Sequence, residues 1–108
     1  MKRGDLVTVA LQGEHGKPRP ALIVQSDRFP DTATVAVLLV TSTLLDAPLI
    51  RVAVQPSPNT GLRLPSQVMI DKPMAVSAKR LGPVFGQLDD AAMLAVNRGL
   101  LLFLGLAD

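Results

Sequence analysis

Thr32-Ala33-Thr34-Val35-Ala36-Val37-Leu38-Leu39-Val40 is a run of nine residues without glycine, proline or charge. Five of the nine are β-branched, a side-chain shape that suits a pleated surface and loses rotamer freedom in a helix. The run is too short and too branched for a helix, so it reads as the central strand of a sheet. Pro30 and Asp31 precede it and the three hydroxyls of Thr41-Ser42-Thr43 close it. On its N-terminal side, residues 21–25 form a short apolar run that reads as a buried strand. Residues 3–11 alternate loosely and read as another. Between these two, residues 12–17 (Gln-Gly-Glu-His-Gly-Lys) hold two glycines and no apolar side chain, which predicts a mobile loop.

On the C-terminal side, residues 46–48 read as a turn and 49–55 alternate as a strand. Residues 56–65 carry three prolines, Asn59 and Gly61 and read as a loop. Residues 66–70 read as a strand ended by Asp71-Lys72-Pro73. Residues 75–82 look irregular, and 83–88 read as a last short strand. The character then changes. Asp89 or Asp90 is a good N-cap, and residues 91–104 are rich in helix formers. Met93, Val96, Leu100, Phe103 and Leu104 make one apolar face, while Leu94, Leu101 and Leu102 spoil the other. A helix apolar nearly all round is covered on more than one side. In so small a domain this predicts packing against both the sheet and a second copy of the chain. The fold class is therefore mainly β with a C-terminal α-helix, a small, partly closed barrel of about six antiparallel strands. Residues 1–108 are expected to form one domain.

Composition narrows the function. Hydrophobic residues make up 48% of the chain and charged ones 19%, enough apolar surface to offset the ordering entropy of a folded domain. No cysteine is present and only one histidine, which excludes disulfide scaffolds, thiol catalysis and zinc–thiolate sites. The apolar run near the C-terminus is far shorter than the ~20 residues of a membrane span. The start Met1-Lys2-Arg3-Gly4-Asp5 has no apolar stretch of a signal peptide, so a cytoplasmic location is expected. The net charge is +2 but unevenly spread: residues 1–86 hold ten Lys/Arg against six Asp/Glu, and residues 87–108 hold Arg98 against three aspartates. The strand-rich part thus suits a polyanion, or merely carries scattered solubilising charge.

Three segments hold side chains suited to chemistry. In Glu14-His15-Gly16-Lys17-Pro18-Arg19-Pro20, two prolines restrain the backbone that carries Arg19. A planar guanidinium so placed suits bidentate contact with phosphate, or an edge pairing with a carboxylate. Thr41-Ser42-Thr43 can donate hydroxyls to a phosphate oxygen, or cap the strand. In Ser66-Gln67-Val68-Met69-Ile70-Asp71-Lys72, Asp71 is a candidate base or a partner for Arg19, or a plain turn aspartate. His15 is the side chain whose ordinary titration lies near neutrality. It reads as an acid–base group or as a solvated loop histidine.

Taken in order, these segments resemble the MazF/PemK family of toxin endoribonucleases. Lys2-Arg3-Gly4-Asp5-Leu6-Val7 resembles the family's start. Gly16-Lys17-Pro18-Arg19-Pro20-Ala21-Leu22-Ile23-Val24 resembles its most specific stretch. Leu38-Leu39-Val40-Thr41-Ser42, Pro65-Ser66-Gln67-Val68-Met69-Ile70-Asp71-Lys72, Arg80-Leu81-Gly82 and Leu88-Asp89-Asp90 resemble the rest, at matching spacing. The resemblance implies an SH3-like (plasmid-maintenance toxin) barrel and metal-independent, sequence-specific cleavage of single-stranded RNA. It implies Arg19 and Thr41 as the main catalytic pair. Asp71 matches an accessory aspartate, whereas Met69 stands where some members have an arginine. His15 is displaced from the family's first-loop histidine, and that role is not carried over.

RNA supplies its own nucleophile, the 2′-OH. An enzyme of this kind aligns it and stabilises the charge on the phosphorane, leaving a 2′,3′-cyclic phosphate and a 5′-OH. RNA contacts are expected from Lys17, Ser42, Gln67, Lys79 and Arg80. Neither a metal nor another cofactor is called for. Asp71 and His15 both remain candidates to take the 2′-OH proton. The resemblance further implies a homodimer, a cognate antitoxin and a heterohexameric toxin–antitoxin complex. The antitoxin is expected to be acidic and partly disordered, displacing the 12–17 loop as it covers the RNA groove. A gyrase poison on the same barrel is the alternative, but such toxins depend on a C-terminal tryptophan motif and this chain has no tryptophan. A proline-peptide module needs an aromatic groove, and only Phe29, Phe85 and Phe103 are aromatic.

Overall fold

In a computed structural model that describes residues 1–11, 13 and 17–107, the apolar run 34–41 is the third of six strands and sits inside the sheet. The strands are β1 (Asp5–Ala10), β2 (Pro18–Ile23), β3 (Thr34–Thr41), β4 (Arg51–Val54), β5 (Ser66–Ser77) and β6 (Leu81–Gln87), followed by helix α1 (Asp90–Phe103). They form one sheet in the order β4-β5-β3-β2-β1-β6, antiparallel at every pairing. The edge strands β4 and β6 do not pair with each other, so the sheet is not closed.

The sheet buries apolar side chains on both faces, which is why Val37, Leu38, Leu39 and Val40 are all buried in succession. On one face Leu6, Leu22, Leu38, Val68 and Ile70 meet Val96 of α1. On the other, Val7, Val9, Ala21, Val37, Leu39 and Met69 form a second cluster. The helix begins at the Asp89 cap, whose carboxylate accepts from Ala92 N at 2.8 Å. It lies close on the sheet because Gly99 is buried there. A Cβ at that position would stand 3.2 Å from Ile70 Cγ1 and Cγ2. The Arg3-Gly4-Asp5 start turns out to be structural: Arg3 Nη2 donates to Asn97 Oδ1 of α1 at 2.7 Å, and buried Asp5 accepts from Lys2 N and Gln87 Nε2.

The strand ends differ from the sequence expectation by a few residues at β2, β4 and β6, and further in two places. β5 does not stop at Asp71-Lys72-Pro73 but runs through them to Ser77. Its register on β3 shifts there: Pro73 lies opposite Leu38, yet Val68 lies opposite Val40. Such a bulge bends the strand and releases backbone groups from the ladder, so a proline is tolerated. The segment 75–82 is likewise more ordered than it reads. It divides into the end of β5, a 3₁₀ turn over Ala78–Arg80 and the start of β6.

Candidate active site

The strand registers draw the sequence candidates onto one row across the sheet. Leu81 of β6 pairs with Val9 of β1, and Val9 with Arg19 of β2. The β2–β3 ladder ends at Ala21 opposite Leu39, and strand alternation puts Arg19 and Thr41, two residues further on, on that same face. Thr41 pairs in turn with Gln67 of β5. Neighbouring strands lie about 4.8 Å apart. Arg19 and Thr41, 22 residues apart in the chain, therefore meet beyond the end of this ladder, where both line one groove.

Both line a groove of about 390 Å³ together with Ser42, Thr43, Arg63 and Ser66. The floor is sheet and the far wall is residues 62–64. That wall is set by a knot at buried Thr60, whose hydroxyl accepts from Ser57 N at 3.2 Å and Leu62 N at 3.3 Å. Beyond it, Asn59 O accepts from Gln87 N of β6 at 2.9 Å. Thr41 Oγ1 accepts from Thr43 N at 3.0 Å. That bond occupies one lone pair of the oxygen and leaves the hydroxyl proton available to donate. Arg19 is exposed, as a phosphate ligand must be. A slightly larger cavity of about 440 Å³ lies elsewhere, between Met1, Ile23, Val35 and Phe29. Its charged walls are Lys2 against Asp27 and Asp31, a poor match for a phosphate chain.

Lys17, Gln67, Asp71, Lys79 and Arg80 are not among the residues that line this groove. Gln67, in the row beside Thr41, uses its amide internally: Oε1 accepts from Leu45 N and Nε2 donates to Leu45 O, each at 3.0 Å. Lys17 is exposed just before β2. Arg80 donates to Ala10 O at 3.3 Å, and Ala10 pairs with Pro18, so Arg80 and Lys17 flank the same hairpin end. Lys79 is exposed beside it, its amide held by Ser77 Oγ at 3.3 Å. Asp71 lies in the β5 bulge, 21% exposed, with Lys72 Nζ at 3.0 Å. The Lys72 hydrogen bond, helped by the charges of Lys72 and Arg51, holds its pKa below the ordinary 3.8 against the opposing pull of desolvation. His15, with Gln12, Glu14 and Gly16 of the expected mobile loop, lies outside the described residues. Among the described residues no three His, Cys, Asp or Glu side chains come together as metal ligands would. Among the described residues no helix is long and apolar enough to cross a membrane.

Two arginines were missed by the sequence reading. Arg63 sits in what reads as a featureless proline-rich loop, yet lines the groove together with Arg19. Arg51 sits on β4 directly opposite Met69, so this face has a guanidinium beside the residue that lacked one. A signal was available for Arg51: it is the one charge in the otherwise apolar alternation of residues 49–54.

Comparison with known proteins gives the family and supports the fold. Residues 2–104 match the family described as PemK-like, MazF-like toxin of type II toxin–antitoxin system. The chain is 46% identical, over 99% of both chains, to a probable endoribonuclease MazF of Mycolicibacterium smegmatis. Its fold is similar to that of a mycobacterial endoribonuclease in complex with its cognate antitoxin (TM-score 0.83, 28% identity, 100% of this chain and 98% of that one). It is also similar to the Mycobacterium tuberculosis toxin MazF-mt6 (TM-score 0.82, 25% identity, 96% and 99% covered). The open six-stranded sheet with its C-terminal helix, the Arg19–Thr41 groove and these matches give one conclusion: the chain belongs to the PemK-like, MazF-like family of type II toxin–antitoxin toxins.

Proposed function

We propose that this toxin is a metal-independent endoribonuclease that cuts single-stranded RNA, messenger RNA included, at short sequences in the Arg19–Thr41 groove. The observation that carries the reading is the cross-strand placement of these two side chains on one groove face. In the reaction the 2′-oxygen bonds to the adjacent phosphorus and the bond to the 5′-oxygen breaks. The 2′-OH loses a proton and the leaving oxygen gains one. Arg19 offers a fork of donors to the non-bridging oxygens as charge builds on the phosphorane. Thr41 adds its hydroxyl proton, with Ser42 beside it. Asp71, kept ionised by Lys72, is the candidate proton acceptor among the described residues.

The strand of RNA runs along the row of exposed cations. Lys17, Lys79 and Arg80 hold phosphates at one end and Arg63 at the wall. Ser42 and the remaining Gln67 amide proton contact RNA near the cut. With three phenylalanines and no tryptophan or tyrosine, base stacking is limited and charge and hydrogen bonds dominate. A cytoplasmic toxin of this kind is held inactive by a cognate acidic antitoxin whose carboxylates replace RNA phosphates. Leu94, Leu101, Leu102, Phe103 and Leu104 are about half exposed on and after α1, a surface suited to a two-fold homodimer. Dimers bridged by antitoxin would give a heterohexamer. The test is incubation of the purified chain with mixed-sequence RNA and a chelator, followed by mapping of both cut ends. Cyclic-phosphate and 5′-OH ends, and resistance of a 2′-deoxy site, are expected. Strict Mg²⁺ dependence or cleavage of DNA would refute the mechanism.

A further inference from the structure

Arg51 and Gln67 come from adjacent strands and end on one another: Arg51 Nη1 donates to Gln67 Oε1 at 2.9 Å. The same Nη1 donates to Thr43 O at 3.1 Å. Gln67 Oε1 also accepts from Leu45 N, and Gln67 Nε2 donates to Leu45 O. Three backbone groups of the segment that follows β3 are thus held by two side chains of the sheet. Thr43, pinned at its carbonyl by Arg51, donates its own N–H to Thr41 Oγ1. One residue therefore separates the guanidinium from the hydroxyl of Thr41, a residue that lines the groove.

The arrangement is not one that stability alone would select. Arg51 Nε is buried without a partner among the described residues, and so is Asp71 Oδ1. An apolar side chain at position 51 would avoid that desolvation cost. A bent hydrogen-bond network that tolerates orphaned polar atoms occurs where position matters more than stability.

We propose that Arg51, acting with Gln67, is a positioning residue for Thr41: it clamps residues 43–45 and so fixes where the Thr41 hydroxyl points. The proposal rests on the reading of Thr41 as a group that touches the scissile phosphate. Arg51 itself does not line the groove, so it works through the loop rather than on RNA.

A two-by-two comparison under single turnover separates the possibilities: wild type, Arg51→Met, Thr41→Val and the double variant. Displacements of about 1 Å in a positioned group cost up to about 10²-fold, so Arg51→Met should slow cleavage at saturating RNA by about 10- to 100-fold. RNA affinity should stay within about threefold, since uniform binding is untouched. In the Thr41→Val background the same change should matter by less than about threefold, because the hydroxyl it positions is already gone. Gln67→Met keeps the guanidinium; since Gln67 also contacts RNA, it is read only at saturating RNA. There it should reproduce the Arg51→Met loss in the Thr41 background and change the rate by less than about threefold in the Thr41→Val background, which preserves the test should Arg51→Met fold poorly. If Arg51→Met and Gln67→Met cleave at the wild-type rate while Thr41→Val is slow, the clamp is overturned and the groove assignment stands. An equal loss from Arg51→Met in both Thr41 backgrounds also overturns it, placing Arg51 in the fold or on RNA. A Thr41→Val protein that cuts at full rate removes the groove assignment and the clamp with it.

Discussion

Replacing Thr41 with valine isolates one hydroxyl. Valine keeps the branched shape and strand preference required at the end of β3, so packing is nearly conserved. What the fold loses is the bond from Thr43 N to Thr41 Oγ1 at 3.0 Å, and that bond is exposed. Water replaces a partner at an exposed amide, so the stability cost should be about 0.5–1 kcal/mol. For a domain of this size that is a melting shift of about 4–8 °C at most. Catalysis should lose far more. A donor aimed at developing charge is worth about 2.7–4 kcal/mol, or two to three decades in rate. The assay is single-turnover cleavage of an RNA with a mapped cut site, run well below the melting temperature, beside a thermal melt. Thr41→Ser should keep partial activity because the donor remains. A Val variant within about threefold of wild type, or Val and Ser variants of equal rate, would show that the hydroxyl is not part of the chemistry.

Arg19→Ala should lower cleavage by about two to three decades with little change in fold, because the side chain is exposed. Arg19→Lys should recover little, since a point charge lacks the fork; wild-type cleavage by a folded Ala variant would remove Arg19 from the mechanism. Asp71 should titrate below 3.8. A depressed carboxylate adds stability above its unfolded pKa and loses it as pH falls through the folded value, so between pH 5 and 8 the group stays ionised. Lys72→Met should raise its carbon-13 titration midpoint, and a wild-type midpoint above 4 contradicts the pairing. Gly86→Ala drives a Cβ to 2.0 Å from Thr60 O. It should cost at least about 2 kcal/mol by denaturant melt and slow cleavage by shifting the 62–64 wall; a neutral effect would mean the loop moves freely from β6. Leu101→Glu, on the exposed face of α1, should convert a dimer to monomer or aggregate in sedimentation, and an unchanged sedimentation coefficient would move the interface elsewhere.

The elements that read correctly from the chain are those whose pattern is local. The β-branched run at 34–41, the alternation through β1 and the Asp89 cap of α1 each follow from neighbours in sequence, and each stands within a few residues of where it reads. Arg19 and Thr41 were singled out by the family resemblance, since two flanking prolines and a strand end read alone leave an edge pairing and a strand cap equally open. β5 was not legible through Asp71-Lys72-Pro73, since a bulge is a response to the partner strand and proline read locally is a stop. Arg63 was hidden for a similar reason: its loop is knotted locally at Thr60 but anchored through Asn59 to Gln87 of β6, far from it in the chain.

By itself the sequence determined a β-rich domain with one terminal helix, a basic strand region and a residue inventory without thiolate chemistry. Those are properties of composition and short-range periodicity, and they survive in any arrangement of the strands. Only the tertiary structure decided that the sheet stays open, that Arg19 and Thr41 share one face and that Arg51 reaches the loop beside them. Register across strands is set by which apolar faces can be buried together, and shifting it by one residue would turn Arg19 away from Thr41. No stretch of the chain read alone carries that information, because each pairing joins residues brought together by the packing of two separate cores.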